Sequence, residues 1–380
     1  MALATASGLA PFDITGIRED LSDLVAEILL GSTTFLSRVG ISGEATNTTH
    51  DWLERSLNAI TVTDSGGALT SSATTLTVVT SQGTRLRIGA LLRDEAQGKT
   101  EVIQVTAIST DTITIVRGFG TSSDETHAAS AVFRILGRPK QDGADLSTDR
   151  STTRTKVTNF TQIFEDAVIV AGAAEAVLKA GVPSEVGLQG ADRLIELMRE
   201  LDNSIMLSYK SADAGSDTSY RSMNGLLEFL LQTDANKDNT QESLTEGVLN
   251  DMFRLAFDDG GDPSLILLNQ KQMEVMSGFN ADKIRIVPGI NIAGNFVSHF
   301  ITDLGKELEV VLDRWFPNDT VAILDQSRIT VMPLKSRAFG ISPIAPTGDA
   351  IKRQLLGEYT LEVRNAKEAH SIHTNLNIPS

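Results

Sequence analysis

The chain has 380 residues, 41% of them hydrophobic, and carries 33 Lys and Arg against 49 Asp and Glu, a formal net charge of −16. A chain of this length buries a sizeable core in two or three domains. Its acidic balance excludes a surface built to grip nucleic-acid phosphates, though not a protein that merely encloses DNA; having no cysteine, it also excludes disulfides, thiolate catalysis and Cys-ligated metals.

Residues 1–17 are small, Gly- and Pro-punctuated and weakly patterned, as in an arm that gains order by lying on something else. They hold no basic residue before Arg18 and no long apolar core, so a secretory signal is not expected. From Arg18-Glu19-Asp20-Leu21 a short amphipathic helix is expected through Leu30, with Leu21, Leu24, Val25 and Ile28 on one face and Gly31 as the stop. This helix either packs on its own domain or reaches a neighbouring subunit, which makes Arg18, Asp20, Leu21 and Leu24 candidate inter-subunit residues. Thr34-Phe35-Leu36 and His50-Asp51-Trp52 follow, with Trp52 a packing anchor.

Residues 60–136 change character. Val62, Leu76 with Val78, Leu86 with Ile88, Ile103–Ala107, Ile113–Ile115 and Val132–Leu136 alternate with Thr, Ser and Arg, and Ser109-Thr110-Asp111 reads as a hairpin turn. Such strands form a compact β-barrel or sandwich. Gly118-Phe119-Gly120 is not followed by a helix, so it is no phosphate loop. Residues 137–153 are a polar linker.

Thr155–Gly172 reads as extended and Ala173–Ala180 as a short helix. The longest apolar run, Ala167–Ala174, is too short to span a bilayer, and a soluble cytoplasmic product is expected. The dominant element is a long helix from Pro183 to Lys210, roughly 40 Å at the usual rise. Ala191, Leu194, Met198, Leu201 and Ile205 recur in steps of three and four along its apolar face, opposite Asp192, Arg193, Glu196, Arg199, Glu200 and Asp202. Pro183 suits its first turn, and Gly187 and Gly190 put its firm part from Ala191 onward.

Beyond it, Ser243-Leu244-Thr245-Glu246 reads as a capping box opening a helix to about Asp258, with Val248, Leu249, Met252, Phe253 and Ala256 buried. Leu265–Leu268 is a continuous apolar run, as in a strand covered on both faces, and Asn269 caps a helix to Gly278. Ile284–Val287, Lys306–Asp313, Val321–Leu324 and Ile329–Met332 add strands to a small α/β domain, and Glu358–Arg364 is an alternating strand that returns near the long helix.

Candidate chemistry is thin. Asp234–Thr240 spaces oxygen ligands like the start of a calcium loop, but Asn239 stands where glycine is needed and Thr245 where a bidentate carboxylate is needed. Asp258, Asp259 and Asp262 form an acidic loop. His370 and His373 would point to opposite faces of a strand, so shared ligation is not expected. No Ser/His/Asp set, Walker loop or HExxH sequence occurs. No catalytic residue, metal site or cofactor is assigned.

Several short stretches, taken in order, resemble the major capsid proteins of tailed bacteriophages with the Hong Kong-97-type shell fold, in the branch with an extra β-domain. They are Arg18–Ser22, Thr34-Phe35-Leu36, His50-Asp51-Trp52, Asn159–Phe164, Thr347-Gly348-Asp349 and Gly357–Val363. The resemblance implies an α+β fold: an N-terminal arm (1–40) and an extended-loop region (41–155) containing an inserted β-domain (60–136). A peripheral domain (156–221) with spine helix 183–210, an axial domain (222–350) and a return strand (351–380) would follow. It implies a non-catalytic subunit assembling through pentamers and hexamers into an icosahedral or prolate head around double-stranded DNA. Portal, scaffolding and decoration proteins are the implied partners, without membrane or cofactor, and the virion capsid is the implied location. Lys99 and Lys140 match no crosslinking motif, and a long scaffolding-like extension ahead of the arm is not expected.

Two other readings fit. A bacterial nanocompartment shell shares the fold and needs no catalysis. A hydrolase using acidic residues with a β binding module would need a cleft of paired carboxylates and aromatic platforms, which an aromatic content of 5% disfavours.

Overall fold

The computed structural model describes residues 33–55, 57–140, 142–143, 152–177, 183–216, 218–232, 236–279, 299–345 and 347–378. Two compact units divide the chain, one built from residues 55–155 and the other from the chain before and after it. The expected helix from Arg18 and the strand at Ile284–Val287 lie outside the described residues.

The flanking unit opens with α1 (Thr34–Val39) and β1 (Thr49–Glu54). The chain then enters the other unit, which holds β2 (Thr61–Thr63), β3 (Thr75–Thr77), β4 (Leu91–Asp94), β5 (Val102–Ser109), β6 (Thr112–Val116) and β7 (Val132–Gly137). These six strands pair in the order β2-β7-β4-β5-β6-β3. The two ends of that path are joined by an antiparallel bridge between Asp64 and Val78. There the Ser65 N–H donates to the Thr77 carbonyl at 2.8 Å and the Val79 N–H to the Thr63 carbonyl at 2.9 Å. The sheet therefore closes into a barrel, which removes its edges. Strand period decides its inside: in β6 the buried residues are Ile113 and Ile115 and the threonines face out. Val62, Leu76, Leu92, Ile103, Val105 and Phe133 complete a core belonging to this unit alone.

The β5–β6 hairpin turns at Thr110, whose φ is +55°. The next residue, Asp111, accepts hydrogen bonds from the Ser81 and Gly83 N–H groups, both at 3.0 Å. These bonds hold a short 3-10 turn at Gln82–Arg85. Leu86 and Ile88, expected in a strand, instead follow this turn, and the strand itself begins at Leu91. The cause is local: Asp111 ties the chain at Gly83, and Gly89, with φ +87°, bends it again.

The flanking unit resumes with β8 (Thr155–Phe160), which pairs with β1, then β9 (Gln162–Ala171), α2 (Gly172–Ala176), α3 (Glu185–Leu207) and α4 (Leu226–Leu230). It continues through β10 (Asn236–Asp238), α5 (Glu246–Asp258), β11 (Leu265–Leu268), α6 (Gln270–Gly278), β12 (His299–Ile301), β13 (Glu307–Leu312) and β14 (Val321–Leu324). It ends with β15 (Ile329–Pro333), β16 (Gly340–Ile344), β17 (Ala350–Val363) and β18 (Ser371–His373).

A mixed sheet runs β10-β18-β14-β11-β13-β12. Its central strands are apolar throughout because both faces are covered. Leu265 and Leu267 of β11 face one core, shared with α3 and α4, while Ile266 and Leu268 face another, shared with α5 and α6. The cap of α5 is Thr245, whose hydroxyl accepts from the Val248 N–H at 3.3 Å, rather than the expected Ser243.

The second sheet is organised around β17, which pairs with β9 along one side and with β16 and then β15 along the other. Glu358–Arg364, read as an alternating strand, is buried continuously from Gly357 to Val363. Helix α3 packs across β9 and β17. It starts at Glu185, earlier than the expected firm part at Ala191, because its first turn is well held. The Ser184 hydroxyl accepts from the Gly187 N–H at 3.1 Å, and the Glu175 carboxylate accepts from Ser184 and from the Glu185 N–H.

The buried apolar stripe of α3 is Val186, Gly190, Leu197, Leu201, Ile205 and Met206, with Leu194 and Met198 partly buried against it. Ala191, assigned to this face, is exposed, because one helical step separates it from Gly190, the residue that meets the sheet side. Asp202, assigned to the polar face, is fully buried.

Candidate functional site

The groove along α3 and β9 gathers Glu165, Asp166, Glu196 and Glu200, but no aromatic residue is among those lining it. The carboxylate cleft with aromatic platforms that a carbohydrate hydrolase needs is not formed there. Among the described residues, no helix is long and apolar enough to cross a membrane.

The densest polar arrangement is buried around β17. Glu358 is 2% exposed. It accepts from the Thr161 hydroxyl and from Arg221 Nη2, both at 2.5 Å, and Arg337 Nε lies 2.8 Å away. On the next residue but three, Glu362 sits 2.7 Å from His50 Nε2 and pairs with Arg364. The hydrogen bond with His50 holds the Glu362 carboxyl below its ordinary range against the opposing effect of burial. Asn159 Nδ2 donates to the Leu361 carbonyl at 2.7 Å, and its Oδ1 accepts from the Phe160 and Asn224 N–H groups. Buried charges of this kind need such partners, since a lone carboxylate would be costly.

Gly357 has a steric role in the same strand. A Cβ there would stand 2.5 Å from the Phe339 ring, which packs 4.8 Å, centroid to centroid, from Tyr359. The Phe339 N–H donates to the Tyr359 hydroxyl at 2.9 Å. Trp52 is buried against Phe229, as an anchor should be, with its Nε1–H donated to Glu54.

Two further carboxylates are buried. Asp202 Oδ1 accepts from the Leu36 N–H of α1 at 2.7 Å. Asp313 accepts from the Trp315 N–H at 2.8 Å. Burial raises both carboxyls, and the nearby Asp313 adds to the effect on Asp202, which rises to about 7. Asp202 was legible in principle: Met198, Asp202 and Ile205 follow the spacing of one helical face, so its charge sits within the apolar stripe.

Inside the barrel, His127 lies between Asp94 Oδ2 at 2.7 Å and Glu101 Oε2 at 2.9 Å. Arg117 grips Glu101 with two bonds of 2.6 and 2.7 Å. Burial would raise the Glu101 carboxyl, but Arg117, the Glu125 and Gly118 N–H groups and His127 bring it to about 2. The ring nitrogens of His127 and both carboxylates are thus paired with one another or with Arg117.

At the edge of the mixed sheet, Asp238, Glu242 and His373 come together, one ligand-type atom of each lying within 4.8 Å of the others. Asn236–Asp238 of the suspected calcium loop is a strand; residues 234 and 235 lie outside the described set. His370 and His373 bond to different groups: His370 Nδ1 accepts from the Asp325 N–H, while His373 Nε2 faces Glu242. Burial brings His370 down to about 4.

Of the residues singled out in the sequence, Leu194, Met198, Leu201 and Ile205 meet on the sheet-facing side of α3 and Ala191 does not. Arg18, Asp20, Leu21 and Leu24 lie outside the described residues. Of the short family-like stretches, Arg18–Ser22 lies outside the described residues. Thr34-Phe35-Leu36 forms α1, His50–Trp52 lies in β1, Asn159–Phe164 runs through β8 and β9, and Gly357–Val363 is the buried half of β17.

Residues 5–377 match the family model described as SU10 major capsid protein. Comparison with curated protein sequences finds no match. Solved structures are similar at low identity. The capsid asymmetric unit of cyanophage A-1(L) matches with a TM-score of 0.58 and 12% identity, over 97% of this chain and 99% of that one. The capsid of an empty GTA particle matches with a TM-score of 0.55 and 10% identity, over 98% and 100%. Microbacterium phage Oxtober96 matches with a TM-score of 0.51 and 11% identity, over 95% and 96%.

Proposed function

The chain belongs to the SU10 major capsid protein family, and on that premise we propose that it self-assembles through pentamers and hexamers into the head shell that encloses the double-stranded DNA of a tailed bacteriophage. It is a shell-forming structural protein with the Hong Kong-97-type fold, and its place is the virion capsid. The observation that carries this reading is the family match over residues 5–377, nearly the whole chain.

The finer assignment is ours. Residues 1–40 act as the arm and 41–155 as the extended loop carrying a β-domain at 60–136. The peripheral domain is 156–221, with α3 as its spine. Residues 222–350 form the axial domain, and 351–380 return to the peripheral sheet. The shell is non-catalytic; the satisfied ionic groups around β17 and inside the barrel support that view. The net charge of −16 suits a container that encloses DNA without reading its sequence. Portal, scaffolding and decoration proteins are its partners, and synthesis takes place in the host cytoplasm.

Negative-stain microscopy of the purified protein, with light scattering, tests the proposal. Closed shells or five- and six-fold rings are expected. A strictly monomeric species at every salt and protein concentration would refute it.

A further inference from the structure

We propose that Asp238, Glu242 and His373 form a binding site for a divalent transition-metal ion, zinc by the character of its donors. Asp238 and His373 stand directly opposite each other in the parallel pairing of β10 with β18, on strands whose spacing is about 4.8 Å. Glu242 comes from the segment that leads into α5. One ligand atom from each falls within 4.8 Å of the others, so a modest closure of the two half-buried carboxylates brings all three to a common ion at about 2.0–2.2 Å.

The tautomer of His373 is the independent observation that points to a cation. His373 Nδ1 lies 3.0 Å from the Thr374 carbonyl oxygen. A carbonyl oxygen only accepts, so Nδ1 carries a hydrogen. Nε2 then faces Glu242 Oε1 at 3.0 Å, and in the neutral ring it presents a lone pair to a carboxylate oxygen. A metal ion seated among the three groups would take that lone pair as one ligand and a carboxylate oxygen from each acid as the others. Among the described residues, no Lys or Arg pairs with Asp238 or Glu242. A histidine that donates its other ring N–H to a backbone carbonyl is the usual arrangement around a metal.

The donor set selects among ions. Calcium takes six to eight oxygen ligands, which this site does not offer. One imidazole and two carboxylates suit zinc, with water completing the shell. The ion would clamp β10 and the entry to α5 onto β18.

The test uses the full chain stripped of metal by a chelator, with inorganic Zn2+ as the probe, followed by titration calorimetry and thermal melting. One zinc per chain and a rise of several degrees in melting temperature are expected. Glu242→Gln should weaken zinc at least tenfold and abolish the rise. Its side chain is 39% exposed, so the variant keeps its fold, and melting without zinc verifies this. Asp238→Asn should act in the same direction, and millimolar Ca2+ should leave the melting temperature unchanged. No saturable zinc uptake, or equal zinc affinity in wild type and both variants, would overturn the site and leave an ordinary His–Glu ion pair. Neither outcome depends on whether shells form.

Discussion

Burial gives Asp202 and His370 opposite pH responses. The Asp202 carboxyl rises to about 7 from 3.8. An acid raised on folding holds its proton more tightly in the folded chain, so its contribution to stability is full below about pH 3.8 and lost as pH rises through about 7. His370 falls to about 4 from 6.5, so the stability of its neutral form is full above about pH 6.5 and lost as pH falls through about 4. The two slopes oppose each other between these limits, and the wild-type curve conceals both. Asp202→Asn keeps an acceptor for the Leu36 N–H and removes the charge. Melting of variant and wild type should diverge in the variant's favour as pH rises from about 4 to about 7, by at most a few kcal/mol. A difference that stays constant across that range would mean that Asp202 does not titrate as described.

Helix α3 provides a contrast between two faces. Leu201 is fully buried against the β17 sheet and Ala191 is exposed. Leu201→Asp places an unpaired charge in that core and should cost several kcal/mol, with loss of soluble protein. Ala191→Asp should stay within about 0.5 kcal/mol. Equal losses in expression and melting would show the stripe to be misplaced. A second element-scale expectation concerns the barrel. A Cβ on Gly83 would fall 1.8 Å from the Thr110 carbonyl oxygen, so Gly83→Ala must displace either the 3-10 turn or the β5–β6 hairpin. A drop of several degrees in melting temperature is expected, and wild-type melting would contradict the close approach.

For the whole molecule, β1 and β8 are hydrogen-bonded neighbours. Thr158 donates to Asp51 at 2.7 Å, and Lys156 pairs with it at 2.6 Å. The chain therefore leaves one unit after β1 and re-enters it beside the same strand, the arrangement that the proposed insertion requires. Each unit also has its own core. Replacing residues 60–136 by a short Gly/Ser linker should leave a soluble helical protein, and the excised segment should melt cooperatively with a β-type circular dichroism spectrum. If both products are unfolded, the strands share a core with the rest of the chain. Should the deletion variant fold, microscopy then measures what the barrel adds to shell stability.

The amino-acid sequence by itself determined what depends on neighbours along the chain. The period-two threonine strands of 60–136, the long helix, the doubly covered run Leu265–Leu268 and the cap at Asn269 are local matters of sterics and hydrogen bonding. The ordered family stretches were legible for the same reason, each being continuous in sequence. Tertiary structure alone decided which charges are buried. Glu358 and Glu362 read as the polar side of an alternating strand, yet β17 is covered on both faces, and Arg221, Arg337 and His50 arrive from distant segments to pair with them. Asp238, Glu242 and His373 likewise meet only because β10 lies in register with β18. Periodicity identifies a face that prefers burial; it does not say which remote partners make burial of a charge affordable, because desolvation is offset by contacts that the chain's own order does not encode.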